Sequence, residues 1–584
     1  MLKHHQKGQS QETIFNPRFR IALFKVMIVL AMGSVVLRLF WLQVVSRGFY
    51  TKLAEQQHGA SFTLLPKRGM IYVKDPKSVN KVFPVAVNKT VYGIFVNGRD
   101  VEDAKVMAAF LAPLLALDQT ELEEKLSKKD DPYIPIAKNV PEDLVQEMKS
   151  SGMKGFGYEP VQLRYYPERH LLSHVLGFVK KDDDGTVRGS YGIEGWWNKE
   201  LTGVRGYLAM DSDPSGRLIG TGDRVETEAQ DGVDITLTID RAIQFVACEK
   251  LRAAVEKHQA ESGSVIILNP KTGAIMAMCN VPDFDPNDFS QVTDVGVFNN
   301  LAVFTPYEPG SVMKAITMAA AIDAERVTPA TTYIDEGFEK IDGFTIRNSD
   351  LKAHGEVTIA KILEDSLNTG TIFAVQQLGS ILFKEYVEKF GFGKLLGVEL
   401  STESEGNTTA LEKRGDIWSA TGSFGQGITV TPLQMAAAYG AIANGGRLMR
   451  PYIVDSLTMP DGRVVKMEPS EIRQVISRKS AGLVGGMLVG VVEDGHGKRA
   501  GVKGYYVAGK TGTAQIARKD GRGYEPGVTI GTFVGYAPVD DAAFVMIVKI
   551  DKPKDVQFAE SSAAPLFGDI ASFLLHYLEV PAVR

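Results

Sequence analysis

Three short strings, well separated along the 584-residue chain, contain residue types that could carry out acyl transfer by a serine. In chain order they are Ser311-Val312-Met313-Lys314, Ser366-Leu367-Asn368 and Lys510-Thr511-Gly512. A serine with a lysine one helical turn away combines a nucleophile with a base, and the later hydroxyl, amide and cation can handle the leaving group and the substrate. The pattern predicts attack on an amide or strained lactam carbonyl through an acyl-enzyme.

The surroundings of Ser311 distinguish it from two other serines that also precede a lysine by three positions. Ser78 lies in a polar loop, and Ser151 lies at a helix end before glycines. Ser311 instead follows a Pro-Gly pair, a helix-start signal, and residues 313–323 after it are nearly all apolar. We therefore expect a buried helix in which Lys314, desolvated near other cations, loses its proton easily and acts as the base. The alternative is an N-cap serine with a snorkelling lysine.

The second string follows a predicted helical segment, residues 358–365. As functional groups, Ser366 would relay a proton to the leaving amine, and Asn368 would orient Lys314 and the amide of the substrate. The alternative is that these short polar side chains only satisfy backbone groups at a helix junction.

The Lys-Thr-Gly string occurs twice, and its context separates the two copies. The copy that begins at Lys271 lies at a predicted hairpin tip, where its glycine serves the turn. The other copy follows residues 505–509, which are predicted as a strand, so that Gly512 permits a substrate to approach and pair as an added strand. Lys510 would place a cation near the carbonyl, and the hydroxyls of Thr511 and Thr513 would bind a substrate carboxylate.

Hydrophobic patterning predicts an α+β domain from about residue 233 to the end. Strands are expected near both ends of this region, with helices between them. The predicted elements are strand 235–240, helix 241–258, a hairpin over 264–278, helices 313–323, 358–378, 432–444 and 479–493, and strands 532–537 and 543–550. Before this region, strand 91–96 and helices 100–117 and 142–150 are predicted, whereas residues 200–229 are Gly-rich and polar.

The N-terminal region predicts a retained membrane anchor. Residues 21–45 are apolar and would span about 37 Å as a helix, enough to cross a bilayer with tilt. The flank before them carries four basic side chains and one acidic side chain, so the first twenty residues are expected to stay in the cytoplasm and the rest to be exported. A cleaved signal peptide is the alternative, but the apolar run is long and no clear cleavage site follows it.

Net charge and cysteine content argue against nucleic-acid binding, a metal site and a disulfide framework. With a net charge of -5 the chain is not expected to bind nucleic acid. No Cys-His cluster has the spacing of metal ligands, and no metal or cofactor is expected. The two cysteines, Cys248 and Cys279, make no disulfide framework and are interpreted as small buried residues.

Together these motifs resemble those of class B penicillin-binding proteins, which are monofunctional peptidoglycan D,D-transpeptidases. The resemblance covers nearly the whole chain. The family has three pedestal motifs. The first is matched by Arg68-Gly69-Met70-Ile71-Tyr72, the second by Arg164-Tyr165-Tyr166-Pro167 with His174-Val175-Leu176-Gly177, and the third by Gly192-Ile193-Glu194 with Leu201-Thr202-Gly203. Its catalytic motifs are matched by Tyr307-Glu308-Pro309-Gly310-Ser311, Gly425-Gln426-Gly427, Thr431-Pro432-Leu433-Gln434 and Ala443-Asn444-Gly445-Gly446.

The resemblance implies a cytoplasmic tail (1–20), an anchor (21–45), a dimerisation or pedestal domain (46–230) and a transpeptidase domain (231–584). It implies that Ser311 attacks the D-Ala-D-Ala carbonyl of a peptidoglycan stem peptide, that the backbone N–H groups of Ser311 and Thr513 form the oxyanion hole, and that β-lactams are trapped at Ser311. It also implies a place in the bacterial cytoplasmic (inner) membrane, with the catalytic domain outside, and a partner glycosyltransferase of the SEDS type together with other division or elongation proteins.

Some positions depart from the family pattern without removing a reacting group. They are Val73-Lys74-Asp75-Pro76 after the first pedestal motif, Leu367 in place of a frequent serine, and Glu560-Ser561-Ser562 before Ala563-Ala564-Pro565-Leu566-Phe567. A D,D-carboxypeptidase and a largely structural scaffold of the cell-wall complex remain as alternatives. A β-lactamase, a β-lactam sensor and a fused glycosyltransferase fit the anchor and the pedestal motifs less well.

Overall fold

The computed structural model describes residues 17–50, 59–182, 187–211, 224–518 and 523–583. The chain divides into two compact units, and each is described by itself. The first comprises residues 1–66 and 204–230, and the second comprises residues 67–203 and 231–584.

The first unit contains the predicted anchor and a small sheet. An α-helix over Pro17–Phe40 continues as a π-helix over Trp41–Val45. The stretch Arg20–Val45 has a mean hydropathy of 2.1, so it is long and apolar enough to cross a membrane. Residues 1–16 of the predicted cytoplasmic tail lie outside the described residues. The polar stretch predicted over 200–229 supplies two strands of an antiparallel sheet formed by Gly59–Leu64, Gly206–Asp211 and Arg224–Thr227.

The second unit begins with the pedestal lobe, which we define as residues 67–203. Its strands are Ile71–Lys74, Val82–Val96, Ile134–Val140, Phe156–Tyr165, Phe178–Lys181 and Val187–Ser190. Its α-helices are Ala104–Leu115, Gln119–Leu126, Glu142–Ser150, Ser173–Leu176, Gly192–Trp196 and Asn198–Thr202. The helix predicted from residue 100 begins later because Asp103 caps it, accepting from the N–H groups of Lys105 and Val106.

The pedestal lobe shares one mixed sheet with the C-terminal half of the chain. Strand Asp234–Asp240 pairs in parallel with Ile71–Lys74 and antiparallel with Val454–Thr458, which in turn pairs with Val464–Lys466. The remaining members of this seven-stranded sheet are pedestal strands. The strand predicted near residue 233 is therefore present, but its neighbours are not those of the catalytic sheet.

One buried carboxylate joins the three pedestal motifs. Glu194, fully buried, pairs with Arg68 at 2.6 Å and with Arg164 at 2.6 Å. Tyr166 donates to the same carboxylate at 3.2 Å, and Arg68 also donates to Thr202 at 2.9 Å. Burial alone would raise the pKa of Glu194, but the two guanidinium groups outweigh it and lower that pKa. The motifs therefore meet at a charged, hydrogen-bonded cluster inside the lobe.

Substituting Glu194→Gln is expected to lower the free energy of unfolding by about 3–5 kcal/mol, because two buried guanidinium groups lose their counter-charge. Thermal unfolding of the full chain in detergent, followed by tryptophan fluorescence, measures this loss. Glu121→Gln is the matched control, since Glu121 pairs with Lys125 on the surface at 2.7 Å and is expected to contribute less than about 1 kcal/mol. Equal melting shifts for the two variants would contradict the role given to the cluster.

The catalytic half is built on a five-stranded antiparallel sheet. Its spatial order is Ile275–Val281, Ser262–Leu268, Phe544–Asp551, Tyr524–Ala537 and Ala508–Ala517. The hairpin predicted over residues 264–278 and the late strands predicted from residues 532 and 543 are confirmed. Strands from both ends of the half therefore meet in one sheet, as predicted.

Helices cover both faces of this sheet. Arg241–Lys257 and Ala563–Tyr577 share one hydrophobic cluster with one face. A second, larger hydrophobic cluster packs the opposite face of the sheet against a group of helices. One of these helices, Met313–Asp323, directly follows the turn that contains Ser311. The α-helices of this half, apart from the two just named, are Leu301–Phe304, Met313–Asp323, Ile359–Glu364, Asn368–Leu378, Ser380–Lys389, Ile417–Ser423, Pro432–Ala443 and Arg478–Glu493. Three short strand pairs complete it: Thr332–Asp335 with Gly355–Thr358, Phe338–Ile341 with Phe344–Arg347, and Arg447–Met449 with Glu471–Gln474.

The two cysteines are buried, as interpreted from the sequence, and they are also joined to each other. Cys248 and Cys279 form a disulfide with a Cα–Cα distance of 5.5 Å, which ties helix Arg241–Lys257 to strand Ile275–Val281. Residue counting could not reveal this pairing, because it depends on the helix packing across that strand.

Candidate active site

The predicted nucleophile lies in a turn that leads directly into a buried helix. Residues Gly310–Val312 form a 3-10 turn, and the α-helix Met313–Asp323 follows with the bounds predicted from its apolar sequence. Ser311 is partly exposed, whereas the residues on both sides of it are buried. Tyr439, from the neighbouring helix, donates to the carbonyl of Val312 at 2.8 Å and holds the turn in place. The serine is therefore both fixed and accessible.

The third string lies on the edge strand Ala508–Ala517, which we call the site strand. The strand predicted over 505–509 is wrong in its bounds, because Tyr505 donates to the Val502 carbonyl within a turn and the strand begins after it. A β-carbon at Gly512 would lie 3.0 Å from the carbonyl oxygen of Pro309. Glycine at this position therefore allows the strand to approach the nucleophile turn closely.

The second string lies at a break between two helices. Residues 358–378 were predicted as one helix, but Ile359–Glu364 and Asn368–Leu378 are separate. Ser366 adopts φ = 56°, a left-handed conformation that interrupts the helical path. The break turns the Ser366 carbonyl and hydroxyl and the Asn368 amide towards the buried lysines, so the deviation from the predicted helix is what builds this part of the site.

Lys314 is fully buried and surrounded by the second string. Its Nζ lies 2.5 Å from the Ser366 carbonyl oxygen, 3.3 Å from Ser366 Oγ and 2.8 Å from Asn368 Oδ1. The predicted proximity of Asn368 to Lys314 is therefore present in the structure.

Lys510 reaches the same serine from the site strand. Its Nζ lies 3.0 Å from Ser366 Oγ, 3.2 Å from the Thr511 carbonyl oxygen and 3.4 Å from Thr511 Oγ1. Ser366 Oγ is therefore shared by both amines, which is the arrangement that a proton relay between them requires.

The two amines make the site electrostatically unusual. Within the described part of the chain, neither Lys314 nor Lys510 has a carboxylate partner. Burial and then the neighbouring Lys510 charge hold the pKa of Lys314 well below its usual value. Burial lowers the pKa of Lys510 to about 7. Perturbed amines of this kind beside a serine are typical of a site that transfers protons.

A buried network that the sequence did not reveal holds Asn368. Asp335 accepts from Thr369 Oγ1 at 2.7 Å and from Asn348 Nδ2 at 2.9 Å. The backbone N–H of Thr369 donates to Asn348 Oδ1 at 3.2 Å, and Asn368 Nδ2 donates to the Arg347 carbonyl at 2.9 Å. Asp335 ends one short strand and Asn348 directly follows another, and neither strand has a distinctive pattern, so residue types and spacing contained no signal for them.

The remaining predicted residues lie on or near the site strand. The Thr513 hydroxyl accepts from the Ala559 backbone N–H at 3.1 Å, and Thr511 is mostly buried. The second Lys-Thr-Gly copy is elsewhere, since Lys271 pairs with Asp541 on the surface at 2.6 Å. The structure thus brings together all three predicted strings and excludes the duplicate. The chemical roles of the individual residues, including the oxyanion hole of Ser311 and Thr513, stay predictions.

Comparison with known families agrees with this architecture. Residues 263–572 match the family model of the penicillin-binding protein transpeptidase domain, and residues 63–237 match that of the penicillin-binding protein dimerisation domain.

Individual relatives are similar over most of their length. Stage V sporulation protein D of Bacillus subtilis is 34% identical over 94% of this chain and 84% of its own. The peptidoglycan D,D-transpeptidase FtsI of Escherichia coli K12 is 29% identical over 98% of this chain and 95% of its own. Among solved structures, penicillin-binding protein 3 of Mycobacterium tuberculosis complexed with aztreonam superimposes with a TM-score of 0.68 at 28% identity, covering 90% of this chain and 98% of that one. The chain therefore belongs to the class B penicillin-binding proteins.

Proposed function

We propose that this protein is a peptidoglycan D,D-transpeptidase that crosslinks stem peptides through an acyl-enzyme on Ser311. The observation that carries the proposal is the fully buried Lys314, which hydrogen-bonds Ser366 and Asn368 and lies one helical turn from a partly exposed serine. A lysine that gives up its proton readily is a suitable base for a serine hydroxyl. The names of the similar proteins support the same substrate class.

In the acylation step, the Ser311 hydroxyl oxygen attacks the carbonyl between the two terminal D-alanines, and Lys314 takes the hydroxyl proton. The backbone N–H groups of Ser311 and Thr513 would stabilise the oxyanion. The bond to the terminal D-alanine then breaks, and its amine receives a proton through Ser366, whose hydroxyl is within 3.3 Å of Lys314 Nζ and 3.0 Å of Lys510 Nζ. Lys510, Thr511, Gly512 and Thr513 would bind the carboxylate end of the donor peptide, paired along the edge of the site strand.

The acyl group then passes to an amine of a second stem peptide, which restores the Ser311 hydroxyl. A β-lactam would enter the same way, but its leaving group stays attached and blocks the acceptor. The enzyme would remain as a covalent adduct.

The candidate membrane helix supports a location of the site outside the cytoplasm. We propose a single-pass protein of the bacterial cytoplasmic membrane, with residues 1–20 inside and the catalytic half outside. The disulfide between Cys248 and Cys279 supports this side of the membrane, since such bonds persist in oxidising compartments. A SEDS-type glycosyltransferase and other division or elongation proteins are the proposed partners, and the domain limits of 46–230 and 231–584 remain part of the proposal.

Incubating the full-length protein in detergent with an N-acyl-D-alanyl thioester and D-alanine tests the activity. We expect mass spectrometry to detect the amide formed with D-alanine, in excess of the free acid formed with water. Free acid alone would indicate a carboxypeptidase. Neither product, with no acyl-protein adduct, would indicate a scaffold and overturn the proposal.

A further inference from the structure

A carboxylate that the mechanism above does not use lies three residues before Ser311. Glu308 accepts from the backbone N–H of Gly427 at 3.0 Å and from the hydroxyl of Tyr524 at 3.1 Å. Its side chain is half-buried, and burial raises its pKa. Both partners are neutral, and among the described residues no cationic side chain pairs with it. Each oxygen of a carboxylate has more than one acceptor position, so both oxygens of Glu308 can accept a further hydrogen bond.

The contacts of Glu308 place it along the wall of the candidate site. The loop that supplies Gly427 also accepts from the nucleophile turn, where the Gly310 N–H donates to the Gly425 carbonyl at 3.1 Å. On the opposite side, a β-carbon at Gly310 would lie 3.4 Å from the Thr513 carbonyl oxygen. Glu308 thus belongs to a short segment that runs between this loop and the site strand and that contains the predicted nucleophile, Ser311.

Groups of opposite charge lie on different sides of Ser311. Lys314 and Lys510 occupy the buried side and are joined through Ser366. Lys510, which acts as the cation of the pair, repels an incoming ammonium group and favours the carboxylate of the donor peptide. Glu308 offers the opposite charge three residues before Ser311. An amine acceptor is a cation in water, so it is attracted to this carboxylate and away from the lysines.

We propose that Glu308 binds the ammonium group of the acyl acceptor and takes one of its protons. This inference rests on the proposed acyl-enzyme at Ser311 and adds the residue that recognises its amine acceptor.

The proposed step is deacylation of the acyl-enzyme by the acceptor amine. The acceptor R–NH3+ gives one proton to Glu308 and becomes an amine, whose nitrogen attacks the acyl carbonyl. The carbon–nitrogen bond forms as the bond from the carbonyl to Ser311 Oγ breaks. The second proton lost by the nitrogen passes through Lys314 to Ser311 Oγ and restores the hydroxyl, and the proton on Glu308 goes to solvent.

The test is the ratio of aminolysis to hydrolysis, measured with the full-length protein, the N-acyl-D-alanyl thioester and a series of D-alanine concentrations. Because both products come from one acyl-enzyme, their ratio does not depend on how fast that species forms. We expect Glu308→Gln to lower the ratio at least tenfold and to raise the D-alanine concentration that gives half-maximal transfer. Glu308→Gln keeps the size of the side chain and an acceptor oxygen for the Gly427 N–H but removes the charge.

Two further variants distinguish an effect of the Glu308 charge on acceptor binding from an effect of its hydrogen bond on the local structure. Tyr524→Phe removes one hydrogen bond to Glu308 and keeps its charge, so the ratio should stay within about twofold of wild type. Glu525→Gln removes one negative charge on the next residue of that strand, which faces the other way, and should leave the ratio unchanged.

An unchanged ratio in Glu308→Gln, or an equal loss in Tyr524→Phe, would overturn the inference while leaving the acyl-enzyme proposal intact. If the wild-type protein forms neither an acyl adduct nor the amide, the proposed function itself has failed.

Discussion

Replacing Ser311 with alanine is expected to abolish covalent labelling of the full-length protein by a fluorescent penicillin. Ser311 is the proposed nucleophile, and the variant lacks its hydroxyl. The residual fluorescence of the variant should therefore equal that of protein denatured before labelling. The side chain is small and partly exposed, and its removal leaves the buried contacts of the following helix in place. The melting temperature should therefore change little. In-gel fluorescence after a fixed exposure measures the loss.

Two serines that match the same short pattern serve as controls. Ser78 donates to the Asp75 carbonyl at 3.0 Å within a turn, and Ser151 donates to the Met148 carbonyl at 2.7 Å at the end of a helix. Ser78→Ala and Ser151→Ala should label as well as wild type. Labelling that survives in Ser311→Ala, or disappears in either control, would show that the nucleophile is assigned wrongly.

Replacing Lys314 with methionine is expected to slow penicillin acylation by about 10²–10⁴-fold, the usual contribution of a positioned base. Methionine fills a similar volume and removes an amine from a fully buried position, so the variant should fold. Stopped-flow or quench-flow labelling gives the acylation rate constant. Lys271→Met is the matched control, since Lys271 lies on the surface beside Asp541 and should label at the wild-type rate. A loss of less than tenfold in Lys314→Met would argue that another group takes the proton.

The pH dependence of the same reaction provides a second measure of the two lysines. Lys314 acts as a base when neutral, so acylation should rise with pH as this amine loses its proton, and its lowered pKa moves that rise below the range of an ordinary lysine. Lys510 acts as a cation, and since burial lowers its pKa to about 7, acylation should fall as the pH rises through that value. The pH profile of acylation is therefore bell-shaped. Because the two amines interact, its two apparent pKa values belong to the pair and not to either lysine alone. In Lys314→Met the acidic limb should disappear.

Local patterns predicted several elements around the candidate site well, because these elements are decided by nearby residues. The apolar run after Ser311 predicted helix Met313–Asp323 with its observed bounds, and the Pro-Gly pair predicted where it begins. The hairpin around Lys271 was likewise visible in its turn residues. In each case short-range propensity and periodicity agree with the tertiary packing.

Features set by long-range contacts could not be predicted in this way. The break at Ser366 interrupts a segment whose composition favours a continuous helix, and it is held by contacts with the buried Lys314 and Lys510. The support of the segment around Asn368 depends on a polar network in which Asn348 joins Asp335 to Thr369, from positions well separated along the chain. Side-chain contacts between distant segments carry no signature in the spacing of one chain.

The mixed sheet that includes Asp234–Asp240 has a consequence for how the second unit holds together. This strand uses its backbone hydrogen bonds on one side for Ile71–Lys74 and on the other for Val454–Thr458. A fragment that begins at residue 231 would lack strand Ile71–Lys74. One edge of strand Asp234–Asp240 would then be unpaired and prone to aggregation. Neither half can melt alone without exposing that edge, so the two halves share one cooperative stability. A force applied to the pedestal lobe is likewise transmitted to the catalytic half through the backbone hydrogen bonds of this sheet, and not through a flexible linker.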